Sequence, residues 1–126
     1  MLRGPRARPA ALAGLRQLGA LLAPVLQISE IRTVAADELW LSGSHGGDRV
    51  AFHFTWRRDW PGVLAVLPAV EEVLVGLGGR PHWGKVFTAD RATLAQEYPR
   101  LEDFRALVAE VDPGGCFGNA FLDRSL

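Results

Sequence analysis

Residues 50–56 alternate without a break: Phe52, Phe54 and Trp56 fall on one side, Ala51, His53 and Thr55 on the other. A period of two is the mark of a β-strand, and three aromatics on one face demand a packed surface there. Whatever this chain folds into must therefore contain a sheet covered on one face. Residues 25–34 read as a further strand, with Ile28, Glu30, Arg32 and Val34 on one face and Gln27, Ser29, Ile31 and Thr33 on the other. Leu39-Trp40-Leu41 reads as a short strand, and residues 42–48, with three glycines, as the turn that follows it.

The remaining segments carry the helical period. Leu12, Leu15, Leu18 and Leu22 recur at three- and four-residue steps, Pro9 suits a first turn, and Pro24 stops the run. Asp59 is placed to cap the next helix, whose apolar face holds Val63, Leu64, Leu67, Val70, Leu74 and Leu77 and which Gly78-Gly79 ends. Residues 80–87 then read as a fourth strand, and Thr88 as the cap of a helix reaching about Tyr98. Pro99 separates this from a last helix over 101–111, closed by Asp112-Pro113-Gly114. The tail 117–122 is expected to be irregular but apolar enough to pack. The sum is an α+β fold: a mostly antiparallel sheet of about four strands with helices packed on one side. Residues 1–8 are expected to form a disordered tail, and residues 9–126 the folded unit.

At 126 residues, 48% hydrophobic and 22% charged, the chain has the length and balance of one globular domain. Its formal charge is zero, which gives no electrostatic case for nucleic acid or an anionic membrane. One cysteine, Cys116, excludes an internal disulfide, and His45, His53 and His82 lack ligand-like spacing, so no metal is expected. The arginine-rich, acid-free N-terminus looks like a targeting peptide, but Arg16 and Gln17 interrupt its apolar run and the leucine spacing fits an amphipathic helix. No run approaches the roughly 20 apolar residues that span a bilayer, and a cytoplasmic location is expected.

Three polar groupings could carry chemistry. Glu30 and Arg32 share a strand face with Ile28 and Val34, where charge is costly to bury unless paired or used; a structural pair, or burial of the Ile31 face instead, explains them as well. His53 and Thr55 flank an aromatic strand, as a solvated outer face would also require. Lys85 is the only lysine beside thirteen arginines, in Arg80-Pro81-His82-Trp83-Gly84-Lys85, where Trp83 reads as core-facing. Lysine is a compact ammonium on a flexible stem and arginine a planar fork, so a site needing a small cation beside a reacting oxygen favours lysine. An acid, two cations, a hydroxyl and an imidazole on adjacent strands suit a polyol: hydroxyls take carboxylate acceptors and cationic donors, and paired cations stabilise a developing alkoxide. No nucleophilic serine motif, phosphate loop or dinucleotide fingerprint occurs, and Gly76-Leu77-Gly78-Gly79 follows a helix rather than a strand.

These residues lie in segments with a family resemblance. Residues 29–42 (Ser29-Glu30-Ile31-Arg32-Thr33-Val34 onward), His53-Phe54-Thr55-Trp56, His82-Trp83-Gly84-Lys85 and residues 112–122 resemble the alditol oxidases. Those belong with the aldonolactone oxidases of the D-arabinono-1,4-lactone oxidase type, among flavoproteins of the vanillyl-alcohol oxidase architecture. The resemblance runs from about residue 7 to the C-terminus. It implies that residues 9–126 are part of a substrate-binding cap domain and that the cofactor is FAD. Arg32 and Lys85 would be catalytic, holding and polarising the reacting hydroxyl, with Lys85 also against the flavin. Glu30 and Thr55 would bind polyol hydroxyls, with His53 beside them. Cys116 and Gly118 depart from the family pattern, where a basic residue usually precedes the Phe and a polar one follows. The resemblance further implies a flavin-binding domain that residues 1–126 do not contain, supplied by another domain or subunit. The chain is thus expected to be the C-terminal part of an oxidase that turns sugar alcohols or aldonolactones and O2 into H2O2, inactive alone. A truncated remnant, or a small carbohydrate-binding or interaction domain, is the non-enzymatic alternative.

Overall fold

The computed structural model describes residues 1–3 and 7–126. In chain order the elements are β1 (Leu2–Arg3), α1 (Ala7–Gln17), α2 (Gly19–Leu22), β2 (Leu26–Val34), β3 (Arg49–Trp56), α3 (Trp60–Val75), α4 (Arg91–Glu97), α5 (Leu101–Val111) and α6 (Ala120–Ser125). The alternating segment is β3, the centre of a three-stranded sheet of order β1-β3-β2. Both its neighbours are antiparallel, with Leu2 opposite Val50, Glu30 opposite His53 and Arg32 opposite Ala51. A bulge between Leu26 and Ile28 shifts the register near the start of β2. Because β1 meets only residues 49–50, the outer edge of β3 over 51–56 has no strand partner among the described residues.

Two small cores hold the elements. Leu22, Val25, Val63, Val66, Leu67 and Val70 are buried together, and Leu15, Leu18, Leu26, Phe54 and Trp56 pack on them. This cluster seats α1–α3 against the aromatic side chains of β3, where Phe54 and Trp56 stack with centroids 5.5 Å apart. Helix α3 starts where Asp59 accepts the Gly62 N–H at 3.1 Å. It ends as the N–H groups of Gly78 and Gly79 bond to the Val75 and Leu74 carbonyls, with Gly78 at φ +74°. The second core holds Phe87, Leu94, Tyr98 and Leu101, with Trp83, Phe121 and Leu41 packed on it. It gathers α4–α6 around the segment that follows α3. Arg80, 8% exposed, ties the parts together: its Nε donates to the Glu97 carbonyl at 2.6 Å and its guanidinium to the His45 carbonyl at 3.0 Å.

The α+β, antiparallel reading holds, with corrections in detail. The sheet has three strands rather than about four. Residues 80–87 are not a strand, because their polar groups are met by turns and side chains. The Arg80 N–H reaches the Met1 carbonyl, Lys85 N–H bonds back to His82, and Tyr98 Oη donates to the Pro81 carbonyl. Residues 39–41 are a turn rather than a strand, folded around one carboxylate. Asp37 accepts from the hydroxyls of Ser42 (2.6 Å) and Ser44 (2.7 Å) and from Leu39 N–H (3.0 Å). The Ser42 hydroxyl above all, then that of Ser44, holds the Asp37 carboxyl below its ordinary range.

The terminal segments and one cap also differ from expectation. Leu2–Arg3 is a sheet strand with Leu2 1% exposed, and Ala7 and Arg8 belong to α1, so the disordered tail is corrected there; residues 4–6 lie outside the described residues. Helix α1 ends at Gln17 and a separate turn, α2, carries the chain to Leu22. Asp90, not Thr88, caps the helix at 91–97, accepting Thr93 N–H at 2.8 Å. The tail forms α6, capped by Asn119 on the N–H groups of Phe121 and Leu122. Its Phe121 packs, while Phe117 is 81% exposed.

Candidate active site

Strand parity places Glu30 and Arg32 on one face of β2, and the register sets His53 and Ile28's partner Thr55 beside them on β3. Arg32 and Glu30 form an ion pair two residues apart on the same strand, with side chains 64% and 40% exposed. A pair so open to water adds little stability. Its effect is to fix a cation and a carboxylate side by side. His53 Nδ1 stands 4.0 Å from the same Glu30 oxygen, too far for a hydrogen bond.

Beside this face runs an open groove of about 940 Å³. One wall is the unpaired edge of β3 with Arg32 and Val34 of β2; the other is the apolar side of α3, at Leu67, Val70 and Leu74, and residues 79–87. Arg32, His53, Thr55 and Lys85 all line it. Glu30 does not: it stands at the rim through its bond to Arg32, and lines a shallower hollow between β2 and α1. Four of the five expected site residues thus share one concavity, and the fifth touches one of them.

Lys85 arrives there without a strand. The Gly84 N–H donates to His82 Nδ1 at 3.0 Å and Lys85 N–H to the His82 carbonyl at 2.9 Å, closing a tight turn with Lys85 exposed at its end. Trp83 anchors the turn from within, its ring 5.2 Å from Tyr98, 6.1 Å from Phe87 and 6.4 Å from Phe121. The core-facing Trp83 and the outward Lys85 are two ends of one device: an aromatic nail that holds a cation at the groove. Three further residues steady the segment, and the sequence reading passed over all of them. Tyr98, 1% exposed, donates to the Pro81 carbonyl, and burial pushes its phenol well above the ordinary range, so it stays a donor. Arg80 makes the bonds described above. Glu71, on α3, accepts both the N–H and the hydroxyl of Thr88 at 2.6 Å. The only local signals were a Pro after Arg80 and a hydroxyl residue after Phe87, neither of which points to a partner far along the chain.

Two groove-lining side chains, His53 and Trp83, carry buried nitrogens, Nδ1 and Nε1, with no hydrogen-bond partner. Both nitrogens are closed off from the groove itself, so they mark local cost in the packing rather than contacts offered to a ligand. Among the described residues no group of three or more His, Cys, Asp or Glu side chains is placed to hold a metal ion, and no helix is long and apolar enough to cross a membrane.

Comparison with known proteins bears on the same segments. The family described as D-arabinono-1,4-lactone oxidase matches residues 14–125. An alditol oxidase from Streptomyces is 58% identical over 101 residues, covering 80% of this chain and 24% of that protein. An L-gulono-1,4-lactone dehydrogenase from Mycobacterium tuberculosis is 33% identical over 105 residues, covering 82% of this chain and 24% of that protein. The L-gulonolactone oxidase of Bos taurus is 30% identical over 99 residues, covering 75% and 22%. The chain spans about a quarter of the length of these relatives.

Proposed function

The chain belongs to the D-arabinono-1,4-lactone oxidase family, and from that premise we propose that it supplies the substrate side of a flavin-dependent oxidation of a sugar alcohol or aldonolactone. One observation carries the reading: Arg32, His53, Thr55 and Lys85 line a single groove, with Glu30 bonded to Arg32 at its rim. Arg32 and Lys85 hold the reacting hydroxyl between two cations, which stabilise the alkoxide as its proton passes to water in the open groove. Glu30 accepts from a neighbouring hydroxyl and Thr55 both donates and accepts, so a vicinal polyol is read at more than one carbon. His53 stands beside Thr55 and Glu30 on the same sheet face, as a further neighbour of the bound polyol. The apolar side of α3 and the flanking aromatics give the groove an apolar wall beside the reacting end.

FAD, when bound, would accept the hydride from the substrate carbon and pass the electrons to O2. The residues present fit one edge of such a cofactor and not the whole of it. A compact ammonium beside apolar walls suits the flavin ring, and Lys85 would meet it. The diphosphate finds no cradle in the glycine cluster after α3: the N–H groups of Gly76, Gly78 and Gly79 are already bonded to carbonyls of that helix. On this reading the adenine nucleotide half would be held by another domain or subunit, and this chain would oxidise nothing without it.

The binding half of the proposal is open to test on the isolated chain. Titration with xylitol or sorbitol, followed by heteronuclear NMR, shifts the signals of Arg32, Thr55 and Lys85, and Thr55→Ala weakens the response several-fold. Shifts confined to residues outside the groove, or none at saturating polyol, would refute it. The same preparation shows no flavin absorbance and releases no peroxide.

A further inference from the structure

We propose that His82 is a positioning residue for Lys85: its neutral imidazole takes the place of an asparagine in a turn closed by a side chain, and a proton on Nδ1 releases the lysine from the groove. The inference rests on the catalytic reading for what Lys85 does there, and on the turn itself for everything else. The Gly84 N–H donates to His82 Nδ1 at 3.0 Å, and Lys85 N–H to the His82 carbonyl at 2.9 Å. A side-chain acceptor on the N–H two residues ahead is the pattern that asparagine and aspartate normally build. Glycine freedom does not shape this turn. Gly84 is not among the glycines at positive φ, and a Cβ added to it would meet His82 Cε1 at 3.4 Å and Nδ1 at 3.5 Å, ordinary contact distances. Other groups fix the segment on either side: Tyr98 Oη holds the Pro81 carbonyl, and Glu71 holds the N–H and hydroxyl of Thr88. Between those anchors Trp83 packs inward, and the two bonds to His82 direct Lys85 outward.

An imidazole that accepts at Nδ1 carries its one proton on Nε2. His82 can therefore donate from Nε2, but it cannot serve as base for the reacting hydroxyl without letting go of the turn. Imidazole also differs from the two side chains it replaces. Aspartate would accept the Gly84 N–H but set a full negative charge beside the Lys85 ammonium, and asparagine would accept it at any pH. Imidazole is neutral while it accepts, and it is the side chain that changes charge near neutral pH. Protonation puts a hydrogen on Nδ1, so two donors face each other where a bond had been, and a second positive charge joins Lys85 in one short turn. Both effects drive the lysine away. His82 is exposed, so its ring meets water without any other element moving. The charged and titratable groups lining the groove around it are Arg32 on β2, His53 on β3, Glu71 on α3, and Arg80 and Lys85 on the segment itself. Of these, Glu71 is engaged by Thr88, Arg32 by Glu30 at the rim, and Arg80 by the Glu97 and His45 carbonyls.

Heteronuclear NMR on the full chain tests the turn without any cofactor. Above the ring's titration, a coupling across the hydrogen bond links Gly84 N to His82 Nδ1, and Nδ1 carries no proton. As the ring titrates, the Gly84 and Lys85 amide signals move with it. His82→Asn holds those signals at their high-pH positions throughout, His82→Phe leaves them at the low-pH positions, and Gly84→Ala behaves as the unsubstituted chain does. Circular dichroism shows all three variants folded. A proton on Nδ1 of the neutral ring, amides that ignore the ring's titration, or Asn and Phe variants that behave alike would overturn the proposal. Turnover is read in an assembly with the FAD-loaded part of the Streptomyces alditol oxidase that this chain does not cover. There His82→Phe lowers kcat about 10- to 100-fold, and His82→Asn recovers most of it while losing the acid fall that tracks the ring. Equal turnover of the two variants would overturn the positioning role and leave the catalytic reading intact. An assembly that oxidises nothing, beside the NMR pattern above, would remove the catalytic reading and leave His82 as the residue that places Lys85.

Discussion

Lys85 hangs on a turn rather than a strand, and its position depends on neighbours that face away from the groove. His82 closes the turn through its ring and carbonyl, and Trp83 pins it into the second core. The proposed role asks for a small cation, so Lys85→Arg is an informative change: both charges are equal, but a planar fork cannot occupy the space of an ammonium. In an assembly with a flavin-binding partner the substitution should lower kcat about 100-fold, the scale of losing one transition-state donor, with the melting temperature unmoved. Turnover kinetics beside thermal melting separate the two effects. Tyr98 is the structural counterpart. Tyr98→Phe removes one buried hydrogen bond and leaves the Pro81 carbonyl unmet, which should cost about 1–3 kcal/mol in urea unfolding. The polar residues of the β2–β3 face could be read from strand parity alone. Tyr98, Arg80 and Glu71 could not, because each partner lies 17 or more residues away and no local pattern encodes it.

At the scale of elements, the clasp between α3 and the segment after it sets the width of the groove. Glu71 on α3 accepts two bonds from Thr88, three residues beyond Lys85. Glu71→Gln weakens both bonds without emptying the space, while Glu71→Ala removes them. The expected result is a modest loss of stability, about 0.5–1.5 kcal/mol per exposed bond lost, with a larger fall in polyol affinity as the Lys85 segment loosens. Calorimetry of both variants against polyol titration checks that order. Elements with a sustained period were legible in the sequence: the alternation of β3, the leucine spacing of α1 and the capped apolar face of α3. Those defined by long-range pairing were not. Strand β1 is two residues long and has no pattern to read, and it exists because Leu2 is buried opposite Val50. Residues 80–87 carry strand-like side chains, but a carbonyl at Pro81 bound by Tyr98 and a turn at His82 leave no ladder to join. Residues 39–41 are drawn into a turn by Asp37, whose hydroxyl partners lie five and seven residues ahead.

Over the whole molecule there are two modest cores, and the buried guanidinium of Arg80 ties the second of them to the loop after β2. Arg80 bonds to carbonyls of Glu97 and His45, so it links the second core to the loop after β2. Arg80→Met keeps the volume and removes those bonds, leaving two carbonyls under-satisfied; unfolding free energy should fall by about 2–4 kcal/mol, measured by urea denaturation. The groove lies between these halves, so its geometry rests on their remaining together. Its polar side chains come from the sheet, from Glu71 on α3 and from the segment after it, which also carries Lys85. The most direct measurement is peroxide release from xylitol, sorbitol or a gulonolactone when this chain is combined with the part of the Streptomyces alditol oxidase that it does not cover, loaded with FAD. The account predicts peroxide from the wild-type combination, none from either part alone, and a rate about 100-fold lower with Lys85→Arg. A flavin-loaded assembly that contains this chain and oxidises none of these substrates, or one that turns over normally with Lys85→Arg, would contradict it.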